Sequence, residues 1–249
     1  MPSGRRRAIV ALLLAALATS ACGGLFTKKY EYEEELTLAI DGSATLSVNA
    51  SIASLIALHG AALDPDPGAR PDRERIRALF SAPGAAVSTP TFFRRDGRRF
   101  VHVRVDVSNL TELRRIAPFA WSSYRFERSG DTLTFRQNVG RSSRASLTAA
   151  AWTGREVIAF RMHVPSRIVF ENATTNVQRG NIVAWEQPLA DRLTGVPLKL
   201  EVDMEPESIL HSTLLLFAAT IAAAGSVFAL AIWWVVRRGR SELASESPN

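Results

Sequence analysis

The chain has one cysteine, three lysines, three methionines and four histidines in 249 residues. A single thiol, Cys22, excludes an internal disulfide framework, so the fold has to rest on an apolar core, which about 190 residues between the hydrophobic ends suffice to build. The histidines, His59, His102, His163 and His211, show no His-x-x-x-His spacing and no second cysteine beside them, the patterns that hold zinc. His102 and His163 fall on polar strand faces, where solvated side chains are the simplest account of them. Neither a Gly-x-Ser-x-Gly elbow, a Ser-x-x-Lys pair, a Walker loop nor a dinucleotide fingerprint occurs. The expectation is a non-enzymatic chain with no catalytic residues, no cofactor and no metal.

Scarcity of lysine leaves arginine to carry the positive charge, 27 residues to 3, for a net charge of +6 and a pI near 10.2. Such basicity raises the question of nucleic acid, and the placement of the charges answers it. Arg5, Arg6, Arg7, Arg237, Arg238 and Arg240 flank the two hydrophobic segments, and Glu242 and Glu246 lie in the tail. Between Gly23 and His211 there remain 24 basic and 22 acidic residues. The excess charge sets topology, and nucleic acid is not an expected partner.

What the sequence does have is two long apolar runs. The first has an arginine n-region, an apolar stretch from Ala8 to Ala18 and small residues before Cys22, the anatomy of a secretory signal. It is shorter than the roughly 20 residues that cross a bilayer. Thr19-Ser20-Ala21-Cys22 resembles the lipobox of bacterial lipoproteins, a resemblance that implies cleavage before Cys22 and its lipidation; a type I cut after Ala21 is the alternative. The second run, Leu214 to Val236, is long enough to span at about 1.5 Å per residue. Trp233 and Trp234 stand at its end and Arg237, Arg238 and Arg240 follow, which places the tail in the cytoplasm and the main domain outside. The organisation expected is signal peptide 1–21, extracytoplasmic domain 22–211, transmembrane helix 212–236 and cytoplasmic tail 237–249. Ala218, Ala222 and Ser226 recur at four-residue spacing, a small-residue face suited to helix contact.

The exported region reads as α+β, a predominantly antiparallel sheet built of hairpins with short helices. Turns are predicted at Asp41-Gly42, Asp96-Gly97, Ser129-Gly130-Asp131 and Arg179-Gly180-Asn181. From Tyr30 the alternation puts Tyr30, Tyr32, Leu36, Leu38 and Ile40 on one face and Glu31, Glu33, Glu35 and Thr37 on a solvated one. Ala44 to Ile52 continues as the partner strand. Phe100 to Val107 turns Val101, Val103, Val105 and Val107 inward, with His102, Arg104 and Asp106 outward. Tyr124 to Arg128 pairs with Thr132 to Val139, and Val157 to Val164 directs Ile158, Phe160, Met162 and Val164 to the core. Pro71 opens a helix through Phe80, and Asn109 with Glu112 forms a capping box for another that ends before Pro118. Leu63 to Pro71 and Gly140 to Ser146 read as loops, the second a candidate divide between residues 28–139 and a strand-rich unit ending near Val202.

Arg94, Arg95, Arg98 and Arg99 surround one hairpin turn. Four guanidiniums in that arrangement suit an anionic lipid headgroup or a phosphorylated polymer; a charged tip that discourages aggregation is the plainer reading. The stretch Val164-Pro165-Ser166-Arg167-Ile168-Val169-Phe170-Glu171-Asn172, followed by Asn176, Gly180-Asn181-Ile182-Val183-Ala184-Trp185 and a membrane helix with an arginine stop, resembles the mycobacterial LppM-type lipoprotein family. That resemblance implies a lipobox, an extracytoplasmic α+β domain and one membrane helix, in an envelope protein whose domain contacts lipids or glycolipids. The expected role is a membrane-tethered binding module with membrane lipids as partners. The alternative is a structural or assembly partner of envelope membrane proteins, or of a second copy of the chain.

Overall fold

A computed structural model describes residues 28–142, 152–178 and 181–245; Cys22 and the signal segment lie outside the described residues. β1 (Lys29–Leu38) and β2 (Ala44–Ser51) form the first hairpin, followed by α1 (Ile52–His59) and α2 (Arg73–Leu79). β3 (Ala85–Val87), β4 (Thr91–Arg95) and β5 (Arg98–Val107) come next, then two 3₁₀ turns at Leu110–Arg115 and Ala117–Phe119. β6 (Ser122–Ser129), β7 (Thr132–Val139), β8 (Glu156–His163), β9 (Ser166–Glu171), β10 (Thr175–Gln178) and β11 (Ile182–Pro188) precede α3 (Leu189–Thr194). β12 (Leu198–Ser208) runs without a break into α4 (Ile209–Ser245).

The α+β class read from the sequence is the observed one. Two sheets form, one ordered β10-β11-β8-β1-β2-β5-β3 with β4 also on β5, the other β6-β7-β12-β9. Neighbours are antiparallel except β1 and β8, which run parallel from Lys29↔Glu156 to Thr37↔His163. Strands from before residue 140 and from after residue 152 share each sheet: β8 pairs with β1 and carries β11 on its other side, and β12 pairs with β7 and carries β9. The inner faces and the helices bury a single apolar cluster that includes Leu46, Val103, Phe135, Phe160, Trp185 and Val202.

Local chemistry sets the elements. Asp96 and Gly97 both adopt positive φ, 51° and 73°, as a tight hairpin between β4 and β5 requires. Ser51 ends β2 and caps α1 by accepting a bond from Ser54 N at 2.9 Å, and Gly60 closes the helix in the left-handed region at φ 65°. Asp72 caps α2, so the helix starts at Arg73, two residues later than Pro71. Asn109 accepts from Thr111 N at 2.9 Å, and the segment winds as a 3₁₀ turn instead of the capping-box α-helix expected.

β1 departs from the sequence reading. Its pairing with β8 shifts between Tyr30 and Tyr32, and this irregularity buries Glu31 and Tyr32 together and leaves Tyr30 on the outer face. Glu31 therefore does not belong to the solvated edge with Glu33 and Glu35. Glu34, on the same side as Tyr32 and Leu36, is buried in the core.

The apolar span is Thr213–Val235, 23 residues, none of it packed inside the domain. It is the one helix among the described residues long and apolar enough to cross a membrane.

Candidate functional site

The four hairpin arginines divide by what holds them. Arg98 reaches inward: Nη1 lies 2.6 Å from Glu31 Oε1 and Nη2 3.6 Å from Glu156 Oε1, while its guanidinium covers the Trp152 ring at 4.5 Å. Both carboxylates are buried, so Arg98 is a structural countercharge. Arg95 donates to the Tyr30 carbonyl, sits 4.2 Å from the Phe100 ring centre and lies 3.9 Å from Glu33. Arg94 and Arg99, cross-strand partners, both donate to the Pro67 carbonyl. A carbonyl satisfies a donor without cancelling its charge, and no carboxylate among the described residues pairs with either.

Arg99 also borders a groove of about 230 Å³ between the hairpin, the loop after α1 and the start of α2. Arg70 and Arg75 line it with Arg99, over a floor of Ile52, Leu63, Ile76 and Phe92. Asp64 and Asp72 lie there too, and each accepts a backbone N–H, from Asp66 and Arg75. The arrangement offers guanidiniums above an apolar floor, which suits an anion attached to an apolar group. Of the hairpin arginines expected to form a binding surface, Arg99 lines this groove; Arg70 and Arg75, which precede and enter α2, were not singled out from the sequence, and their nearness to the hairpin is a tertiary fact.

The outer face of the larger sheet carries half-buried ion pairs and hydrogen bonds. Arg161 donates to Glu33 at 2.5 Å, Tyr30 to Glu186 at 2.6 Å, and Lys28 pairs with Glu186. His163 Nε2 lies 2.5 Å from Glu35 Oε1, and His102 Nδ1 lies 2.9 Å from Asn49. Asp106 accepts from Thr45 and Arg104, and the two histidines stand on β8 and β5 with β1 and β2 between them. No group of metal-holding side chains occurs among the described residues.

The space between the sheets is filled. Around Glu34, Tyr124 and Gln137 only about 10 Å³ stays open, room for no more than a water. A separate apolar recess of about 160 Å³ lies at Trp152, Leu189 and Leu193. The interior is nevertheless polar in places. Burial pushes the Glu34 carboxyl up to about 7, although Tyr32 donates to it at 2.6 Å and Gln137 and Trp121 act in the same downward direction. His59 packs on Trp121 and Tyr32 with ring centres 4.6 and 5.2 Å away, and burial alone holds it down to about 3. Arg192, fully buried, donates to the Val139 carbonyl at 3.3 Å and lies 5.7 Å from the Trp121 ring.

No protein-family model matches the chain, and no curated protein does. Among solved structures, the folded domain of Mycobacterium tuberculosis LppM, determined by NMR, aligns with 73% of this chain and 94% of its own at 14% identity, with a TM-score of 0.38. The likeness is loose.

Proposed function

We propose that the chain is a non-enzymatic module tethered to the outer face of the cytoplasmic membrane, where it engages anionic lipid or glycolipid headgroups. The observation that carries this reading is the direct passage of β12 into the apolar helix: a domain continuous with a membrane span has the membrane as its permanent neighbour. With the interior filled, the acyl chain is not enclosed between the sheets, and the groove of Arg70, Arg75 and Arg99 is the surface for a headgroup. Acylation of Cys22 would add the second anchor.

Native mass spectrometry of the full chain in detergent, supplied with phosphatidylglycerol, tests the site. Retained lipid is expected for the natural chain and for Arg167→Ala, an exposed control, and its loss for Arg70→Ala with Arg99→Ala. Arg98→Ala separates the roles: it leaves Glu31 and Glu156 buried without their countercharge, and is expected to destabilise the fold by about 3 kcal/mol or more. Equal retention by the Arg70/Arg99 variant would remove the groove from the proposal.

A second reading, a partner in envelope assembly, is favoured by β9. This edge strand exposes Val169 (61%) and Phe170 (49%) beside β12, the kind of apolar edge that pairs with another chain. Crosslinking in membranes that returned monomer alone would count against it.

A further inference from the structure

The two proposed attachments leave the domain at opposite ends. β1 starts at Lys29 and runs parallel to β8 until Thr37 meets His163. Three residues beyond His163, Ser166 opens β9 and pairs with Ser208, the last residue of β12 before the helix. Asn181 fastens this corner, its amide donating to the Ser166 carbonyl at 2.7 Å and its own carbonyl accepting from Val164 N at 3.0 Å. The helix therefore departs at the His163 end of the larger sheet, and the chain enters at the Lys28 end. Nine residues of strand, from Lys28 to Thr37, separate these ends by about 30 Å.

The tethers are short against that length. Cys22 precedes Lys28 by six residues, a reach of about 20 Å when fully extended. Ser208 precedes Thr213, where the apolar span begins, by five residues, about 8 Å along a helix. An upright domain, with strands along the bilayer normal, would hold Lys28 about 30 Å above the surface, beyond the reach of a lipid on Cys22.

We infer that the domain lies inclined on its membrane, its strands at least about 45° from the bilayer normal, so that the Lys28 end and the arginine hairpin are drawn toward the headgroup layer. This rests on the acylation of Cys22 in the reading above. The hairpin moves with the anchored end, because Arg95 bonds the Tyr30 carbonyl and Arg98 pairs with Glu31 at the start of β1. Its tip presents Phe93, 40% exposed and stacked on Phe100 at 5.3 Å, beside Arg94. An aromatic ring flanked by arginines suits the interfacial layer of a bilayer. The partner of this tip is the headgroup surface of the membrane that holds the helix.

Energy transfer from single labels to a headgroup dye tests the inclination, using the full chain in phosphatidylglycerol–phosphatidylethanolamine vesicles. Ala190→Cys places a label at the Lys28 end, on the exposed first turn after Pro188, which pairs with Val157. Ser129→Cys places one at the opposite end, in the exposed β6–β7 turn. Both labels are expected near the dye, and Cys22→Ala should raise the Ala190 label by roughly 10 Å or more with the Ser129 label unmoved. The mass of the amino-terminal peptide reports acylation separately. An acylated chain whose Ala190 label stands some 30 Å above the Ser129 label, or is unmoved by Cys22→Ala, overturns the inclination alone; an unacylated terminus overturns the lipid anchor and the inclination with it.

Discussion

Two ionisable side chains of the interior, Glu34 fully buried and His59 half-buried with its Nε2 enclosed, oppose each other in their effect on stability. Glu34 has a folded pKa of about 7 against an ordinary 4.5, so its neutral form favours the fold below pH 4.5 and that contribution is lost as pH rises to 7. His59 is held to about 3 from 6.5, so its contribution is present above pH 6.5 and lost as pH falls toward 3. Between pH 4.5 and 6.5 the two slopes cancel. Thermal melts against pH should therefore show Glu34→Gln gaining on the natural chain from pH 4.5 to 7, by about 3 kcal/mol in all, and His59→Phe gaining as pH falls below 6.5. Parallel curves for the natural chain and Glu34→Gln would refute the burial account. Glu34 was legible in the alternation, since it shares parity with Tyr32 and Leu36. Glu31 was not, because the irregularity that turns it inward arises from pairing with β8, more than a hundred residues away. Arg98 and Arg99 are neighbours in sequence and differ in use for the same reason: the strand directs them oppositely, toward Glu31 and Glu156 or toward the groove.

At the scale of elements, the junction of β6 and β7 with the core depends on a glycine chosen for space. Gly140 N donates to the Trp121 carbonyl at 2.7 Å, and a Cβ there would lie 2.4 Å from the same oxygen. Gly140→Ala must push the two backbones apart at the end of the hairpin, next to the aromatic group around His59, and a loss of about 2 kcal/mol or more is expected in urea unfolding. Stability within 0.5 kcal/mol of the natural chain would show that the junction yields freely. Hairpins were the legible elements, because Asp-Gly and Gly-Asp turns and period-two alternation are local. α1 was missed: Ile-Ala-Ser-Leu-Ile-Ala-Leu-His is apolar on nearly every side and follows a strand, so a short apolar run of this kind fits either structure. β12 extends to Ser208, past the Val202 expected, because Ser166 is there to pair with it.

For the molecule as a whole, the membrane helix adds attachment and little folding. Thr213–Val235 packs against none of the core, and β12 completes its pairing at Ser208. A chain ending at Ser208 is expected to leave the membrane fraction when Cys22 is replaced by alanine, with a melting temperature within about 4 °C of the parent's. Loss of cooperative melting on truncation would show that the helix supports the fold. The sequence by itself determined the α+β class, most hairpin turns and the apolar span, because turn residues, alternation and hydrophobic length act over a few neighbouring residues. Only the tertiary structure decided that β1 and β8 run parallel, that the space between the sheets is filled, that two hairpin arginines are held by carboxylates while two are not, and that the chain enters and leaves at opposite ends. Each of those depends on contacts between residues far apart in the chain, which no local pattern encodes.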